Sequence, residues 1–431
     1  MDVSLWLFLP FLTLLLLGVP IAIALGATAV FLLWHFGLGI QVLSPTVYSN
    51  IAKFQLLAIP FFILAGLILE RCGISQRLIH LAGLLIGPVP GGLALVAVAT
   101  CVFFAGISGS GPADTAALGT VLIPAMAARG YGKGFASALI ASGGSIAIVI
   151  PPSIAFIIYG VITHVSIPAL FAAGILPGLV MGLALVAPAY WISRRRGYGG
   201  ERWGTGAEIW QAFRASVWGL LAPVIILGGI YGGIFTPTEA AVVAVFYGLL
   251  VGVVVERSLT LRTLYGIFRD AAVASAVVMV IVAFAGLYSW AGSTLGVMDR
   301  AAALILRASQ DPLVVLLLVN ALLLVAGMFL DAISIYYVFL PILLPVMKQF
   351  SWDPLWFGVV MTVNLAIGQV TPPVAVNLYV GANIAGISLD EISRAAVPFI
   401  LAMVAALAVV IFLPGLSTAL PVLWRLYQPG P

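Results

Sequence analysis

The chain has 431 residues, of which 63% are hydrophobic and only 7% charged, with a mean hydropathy of +1.23, whereas a soluble domain carries about 25% charged residues. A soluble enzyme or binding domain is thereby excluded, and the net charge of +4, set in short inter-segment loops, leaves no nucleic-acid footprint. Apolar stretches of about 20 residues, the length of a spanning helix, fill the chain without the alternation of barrel strands, so the fold class is an all-α polytopic membrane protein in a lipid bilayer.

Residues 5–34 predict either one long tilted helix or two short ones meeting near Gly18 and Pro20. They do not read as a cleaved signal, because Asp2 stands where basic residues belong and the apolar run continues past Pro20; a retained anchor is expected. Spans follow over 54–69 and 78–104. Next comes GISGSGPADTAALG, from Gly106 to Gly119, which breaks the apolar pattern with small residues and carries Asp114 toward membrane depth. A span over 134–165 is interrupted by IPPSI, and another covers 167–192.

A basic, Gly-rich connector, RRRGYGGERWGTG, begins at Arg194. With Arg194, Arg195, Arg196, Arg202 and Arg214 it forms the densest basic loop, cytoplasmic by the positive-inside rule. Arg257, Arg262 and Arg269 form the next. Both loops are cytoplasmic if two helices separate them, but inverted repeats then require an odd number of crossings per half, a count the sequence leaves open. Downstream, 220–255 breaks at FTPTE, GMFLDAIS repeats the small-residue break from Gly327, a second Pro-Pro interrupts the next span, and 392–413 is the last long apolar segment.

The two halves are colinear. Adding 221 to each number brings Gly106 onto Gly327, Pro124 onto Pro345, Pro151 and Pro152 onto Pro372 and Pro373, and Pro177 onto Pro398, with no gap. The organisation read from this is a first membrane repeat over 1–193, with a re-entrant hairpin at about 105–127 and a broken helix at about 134–165. A connector covers 194–209. A second repeat covers 210–431, with a hairpin at about 326–347 and a broken helix at about 355–386. Paired interrupted segments in two halves point to a transporter's midplane site.

Chemistry concentrates at those breaks. Each proline removes a backbone donor, so Pro151-Pro152 and Pro372-Pro373 free carbonyls at a depth where unwound backbone must be buried or line a cavity. Ser108, Gly109, Ser110 and Gly111 combine hydroxyls with residues that allow a tight turn and close approach. Hydroxyl and carbonyl oxygens suit a hard cation such as sodium, and half-helix N-termini attract carboxylates. Small residues that merely let helices pack are the alternative for one copy; two matching copies weigh against it. Asp114, Glu239 and Asp331 are the acids set deepest among apolar neighbours. Asp331 aligns with Ser110 and is expected at a tip or ion site, Asp114 as a cap of its hairpin's second arm or an ion contact, and Glu239, after Thr236 and Pro237, as a helix-start acid. Thr371, Asn364, Gln369 and Asn377 add polar groups around the second Pro-Pro, with interhelical hydrogen bonding as the alternative. Cys72 and Cys101 read as packing residues, and His35, His80 and His164 lack ligand partners at helical spacing. No enzyme motif is present, so no catalytic residue is assigned.

GISGSGPADTAALGTVLIPAM, IPPSI with IIYGVIT, SIPALFAAGILPGL, GGIFTPTEAA, GMFLD and TPPVAVNLYV together resemble the large (DctM-like) membrane subunit of tripartite ATP-independent periplasmic (TRAP) transporters, within the wider group of elevator-type transporters. The resemblance spans nearly the whole chain. It departs at Ala147 and Ala375, where glycine is usual beside each Pro-Pro. It implies a sodium-driven importer of organic anions, usually carboxylates or sugar acids, in the bacterial or archaeal inner membrane. That importer takes substrate from a periplasmic binding protein and works with a small four-helix subunit, expected here as a separate chain.

Carried over by the resemblance, a first sodium (Na+) site draws on Ser108, Gly109, Ser110, Ile150, Pro151 and Pro152. A second draws on Gly327, Asp331, Thr371, Pro372 and Pro373. Substrate contacts are expected from Ser145, Ser153, Asn364 and Asn377, and one block holding both breaks and both Pro-Pro helices is expected to move against the rest. The competing function is a sodium- or proton-coupled anion transporter or antiporter that needs no binding protein.

Overall fold

The computed structural model describes residues 3–87, 89–200 and 202–428, so the expectation resting on Asp2 lies outside the described residues. Among these residues, the regular structure is helical throughout. The first half contains α1 (Val3–Leu16), α2 (Ile21–His35), α3 (Leu43–Ile51), α4 (Ala58–Arg71), α5 (Ile74–Ile86), α6 (Gly92–Ser108), α7 (Gly111–Ala128), α8 (Lys133–Ser145), α9 (Ile154–Thr163) and α10 (Ile167–Arg195). The second contains α11 (Gly206–Tyr231), α12 (Pro237–Leu250), α13 (Leu261–Thr294), α14 (Val297–Ala308), α15 (Pro312–Gly327), α16 (Ala332–Gln349), α17 (Pro354–Gly368), α18 (Val376–Ala385), α19 (Leu389–Phe412) and α20 (Gly415–Leu423). Seven are long and apolar enough to cross a membrane: α4 with its 3-10 lead, α10, α11, α12 with its π-helical end, α13, α16 and α19.

Helix bounds follow the repeat. A shift of 221 carries both ends of α7 onto those of α16 and the start of α8 onto that of α17, and it brings the starts of α5, α6, α9 and α10 within two residues of those of α14, α15, α18 and α19. Residues 5–34 form two helices that turn at Gly18, whose φ is 82°.

The stretch 78–104 is not one span. It turns between α5 and α6, where Gly91 (φ 74°) donates its N–H to the Tyr198 carbonyl at 3.0 Å and where a Cβ would collide with Ser193. The turn therefore packs directly against the end of α10 and the connector, which leaves room only for glycine at 91. At ~1.5 Å per residue, α6 is about 26 Å long, shorter than the ~30 Å hydrocarbon core. Each hairpin's first arm begins well upstream of its small-residue break, at Gly92 and at Pro312.

The ends of the molecule can be told apart. α10 finishes at Arg195, and α11 and α12 are the two helices between the basic clusters, which puts both clusters at one end. The α7–α8 turn lies there too, because Gly132 donates to the Tyr198 hydroxyl at 3.0 Å, and Lys133 reaches the Ala385 carbonyl at 3.2 Å. At the other end, where α9 finishes, Tyr159 donates to the Pro354 carbonyl at 2.7 Å. Asp353, the N-cap of α17, there accepts from the Tyr427 hydroxyl at 3.0 Å. The base of hairpin α6–α7 and the base of hairpin α15–α16 thus sit at opposite ends.

Packing divides the helices into two blocks. In one, α7 lies on α8 and α18, α16 on α9, α15 on α17, and α10 on α19. In the other, α2 packs on α13, α4 on α12 and α13, and α5 on α11. Arg77 ties the second block together: it pairs with Glu256 beyond α12, donating at 2.7 Å to Oε1, and donates at 3.0 Å to the Ala215 carbonyl of α11. The blocks meet where α6 lies against α4 and α5 and where α16 lies against α13 and α14.

Candidate functional site

Each hairpin tip rests on the Pro-Pro break of its own half. At the first tip α6 ends at Ser108, Gly109 turns with φ 66°, and Ser110 is the N-cap of α7. The turn needs glycine twice over. The left-handed backbone disfavours a side chain, and a Cβ there would run into the Pro152 carbonyl oxygen. A Cβ on Gly106 would lie 3.7 Å from the Pro151 carbonyl oxygen. Ser108, Gly109, Ser110 and the Pro151-Pro152 carbonyls are therefore one neighbourhood. The break is unwound between a 3-10 turn, Ile146–Ile148, and α9.

Asp114 does not cap α7, contrary to one of its expected roles. Its backbone N–H already bonds the Ser110 carbonyl at 3.0 Å, one turn into the helix. Its fully buried side chain accepts instead from the Ser108 hydroxyl, and Oδ2 has no partner among the described residues. Ser110 donates its N–H to Ser108 Oγ at 3.2 Å and lines a cavity of about 160 Å³ with Ser108 and Glu70 of α4.

At the second tip the roles are exchanged. Asp331 is the N-cap of α16: Oδ1 accepts from the Ile333 and Ser334 N–H groups at 2.9 and 3.1 Å, and Oδ2 from the Ser334 hydroxyl at 2.6 Å. Gly327 backs onto Gly368, with a Cβ there only 3.1 Å from the Gly368 Cα. Val374 donates to the Met328 carbonyl at 3.1 Å, stapling the break to the tip, and Thr371 donates to the Ile367 carbonyl at 2.7 Å. A cavity of about 110 Å³ joins this tip to the first hairpin and the other block, lined by Gly327, Asp331, Gln369, Ala375, Pro112 and Ile21 among others. Pro151-Pro152 is buried, whereas Pro373 and Val374 are exposed.

The four expected substrate contacts separate. Ser145 donates to the Ser142 carbonyl at 2.8 Å within α8. Ser153 caps α9, accepting from the Phe156 N–H at 3.3 Å and donating to the Ile148 carbonyl at 2.5 Å. Asn364 donates at 2.9 Å to both the backbone and side-chain oxygens of Asn320 on α15. Asn377 alone reaches the space between the halves: it donates to the Ala141 carbonyl at 3.2 Å, and its amide lies against Gly111 at the start of α7.

Gln369 converges on the same glycine, and Gln369 Oε1 and Asn377 Oδ1 are both buried without a partner among the described residues. Two unpaired amide oxygens beside a helix N-terminus can accept from a hydroxylated ligand or hold a cation. In the sequence Gln369 stood out only as a flanking amide, and Asn320 gave no signal because its partner is 44 residues away. Glu239 closes a capping box on α12, with Oε2 accepting the Thr236 N–H at 2.8 Å and the Thr236 hydroxyl at 2.9 Å. Cys72 and Cys101 are buried free thiols. Among the described residues no group of three metal-ligating side chains exists.

Residues 8–416 match the family described as tripartite ATP-independent periplasmic transporter, DctM component. The isethionate TRAP transporter permease protein DctMQ of Oleidesulfovibrio alaskensis is 43% identical over 93% of this chain and 64% of its own length; the chain spans a little under two thirds of that relative. The 2,3-diketo-L-gulonate TRAP transporter large permease protein YiaN of Escherichia coli is 39% identical over 95% of this chain and 96% of its own. Among solved structures, the YdaH transporter of Alcanivorax borkumensis has a similar fold, with a TM-score of 0.64 at 14% identity over 88% of this chain and 89% of that one.

Proposed function

The chain belongs to the DctM component family of tripartite ATP-independent periplasmic transporters, and from that premise we propose that it is the membrane subunit of a sodium-driven importer of an organic anion. The family is one of multi-pass transporter permeases, not of enzymes. The observation that carries the proposal is the duplicated seat of a small-residue hairpin tip on a Pro-Pro break, which gathers carbonyl and hydroxyl oxygens at two points.

Sodium at each point satisfies those oxygens; left unpaired at that depth, each would cost several kcal/mol. The first ion uses Ser108, Gly109, Ser110 and the carbonyls of Ile150 to Pro152. The second uses Gly327, Asp331 and the backbone of Thr371 to Pro373. The anion lies between the tips, where Gln369 and Asn377 meet the N-terminus of α7, whose partial positive charge favours a carboxylate. Isethionate and 2,3-diketo-L-gulonate, the substrates that two relatives are named for, are both organic anions, and we carry only that class over to this chain. The oppositely based hairpins support an inverted repeat, and the two packing blocks support rigid-body movement of the hairpin block past the other. A small membrane subunit and a periplasmic binding protein complete the system.

The test is uptake into proteoliposomes that hold this chain and its small subunit, with the neighbouring binding protein, a panel of radiolabelled organic acids and an imposed sodium gradient. Accumulation that needs both sodium and the binding protein is the expected result. Sodium-driven accumulation without the binding protein would move the chain to self-sufficient transport, and accumulation indifferent to sodium would overturn the ion assignment.

A further inference from the structure

We propose that the crevice at the end opposite the basic loops is a second, outer binding site for the carboxylate or sulfonate of a small organic anion, with Lys53 as the group that recognises its charge. The proposal rests on the reading of the chain as an organic-anion transporter, and it names a site apart from the hairpin tips.

The crevice has a volume of about 470 Å³ and is lined by Lys53, Gln55, His164, Ser166, Thr236 and Thr238 among others. That volume lies in the ~300–1,000 Å³ range of small-molecule sites. One wall is the segment before α4 and the start of α12; the other is the α9–α10 turn of the hairpin block. Since α10 runs from this crevice to Arg195, and α11 rises from the connector to the α11–α12 turn beside it, the crevice opens on the side from which an importer receives its cargo.

Lys53 is half-buried, and its ammonium has no hydrogen-bond acceptor or acidic partner among the described residues. Burial pushes its pKa down from the ordinary lysine value, the mark of a cation that has lost water and gained nothing in return. The acid in the adjoining first turn, Glu239, is held in the α12 capping box by the Thr236 N–H and hydroxyl. Ser166 spends an oxygen lone pair on the Ala169 N–H at 3.3 Å, which leaves its hydroxyl proton free to donate. The crevice therefore presents an unpaired ammonium and a free hydroxyl donor beside the N-terminus of α10, an arrangement that favours an anion, whereas the N-terminus of α12 is already offset by Glu239. Both blocks line it, so its shape changes whenever they move, which suits a site that holds cargo before the tips receive it.

The chain has three lysines, Lys53, Lys133 and Lys348, so amine-reactive labelling reads Lys53 with two internal references. The reconstituted protein is treated with a water-soluble amine-reactive ester, and modification of each lysine is followed by mass spectrometry. Succinate, isethionate and gluconate are compared with glycerol and with chloride at matched ionic strength. At least one organic anion is expected to slow modification of Lys53 severalfold, with Lys133 and Lys348 unchanged and with glycerol and chloride without effect.

In uptake kinetics, Lys53→Gln should raise KM about tenfold or more, as loss of a charge-assisted hydrogen bond does, and leave kcat within about twofold, while Lys53→Arg keeps most of the wild-type KM. Unprotected labelling in the presence of an anion that the wild-type protein transports would overturn the site, as would unaltered kinetics of Lys53→Gln. Protection by the binding protein alone would overturn it too, and would make Lys53 a docking contact. Labelling needs no transport, so absent uptake by the wild-type protein counts against the importer reading, while the labelling result still decides this site.

Discussion

Ala375 holds φ at 46°, a left-handed conformation, at the residue that opens α18. This is one of the two positions where the family resemblance leads one to expect glycine, and the backbone supplies the reason: a side chain there costs roughly 1–2 kcal/mol. Ala375→Gly should raise the thermal unfolding midpoint by the equivalent of about 1 kcal/mol, measured in detergent; an unchanged or lowered midpoint would show that the Ala375 methyl contributes packing that offsets the strain. Ala147, the other of the two positions, sits in the buried 3-10 turn with no such conformation and falls on Gly368, not Ala375, under the shift of 221, so the two departures are not equivalent. Gly109 tests the first ion site. In Gly109→Ala the added methyl meets both the φ of 66° and the Pro152 carbonyl. Uptake should fall by about tenfold or more, along with any sodium-dependent gain in thermal stability, and retention of both would separate the tip from ion binding. Asp114 and Asp331 show where residue-level reading stops. Both stood out in the sequence as acids set among apolar neighbours, but which of them caps and which meets Ser108 depends on the turn each hairpin makes.

At the scale of the element, the breaks were legible because glycine and proline act locally. Gly18, the FTPTE segment and both Pro-Pro pairs end helices where the chain changes composition. The α5–α6 turn was missed although Gly87, Pro90, Gly91 and Gly92 mark it locally, because the apolar run on either side reads as one span; the contact of Gly91 with Ser193 and Tyr198 appears only in the fold. The hairpin arms were under-read for a related reason: α6 and α15 are as apolar as spanning helices, and only their length and the turns that precede them set them apart. Glu239 belongs to this scale. Its capping box should make Glu239→Ala cost about 0.5–1 kcal/mol of stability with uptake at saturating substrate retained. Collapse of uptake in a variant that unfolds at nearly the wild-type temperature would give Glu239 a part in transport.

Across the whole molecule, the prediction concerns the two blocks. Gly106 of α6 and Pro223 of α11 face each other across their boundary, and a Cβ on Gly106 would lie 3.6 Å from the Pro223 Cβ, within disulfide range. In a background without Cys72 and Cys101, the pair Gly106→Cys and Pro223→Cys should stop uptake when oxidised and recover it on reduction, while sodium still shifts thermal stability in both forms. Unimpaired uptake in a fully oxidised sample would sink movement of one block past the other. The sequence alone determined that the chain lies in a membrane, that its halves are colinear, and where the helices break at Gly18, at FTPTE and at both Pro-Pro pairs, because hydropathy, proline and glycine act within a few residues of themselves. The tertiary structure decided which tip rests on which break, that Gln369 and Asn377 converge on Gly111 while Ser145, Ser153 and Asn364 turn to partners of their own, and that Lys53 lines a crevice between the blocks. These facts depend on contacts between residues far apart in the chain, which composition and spacing do not encode.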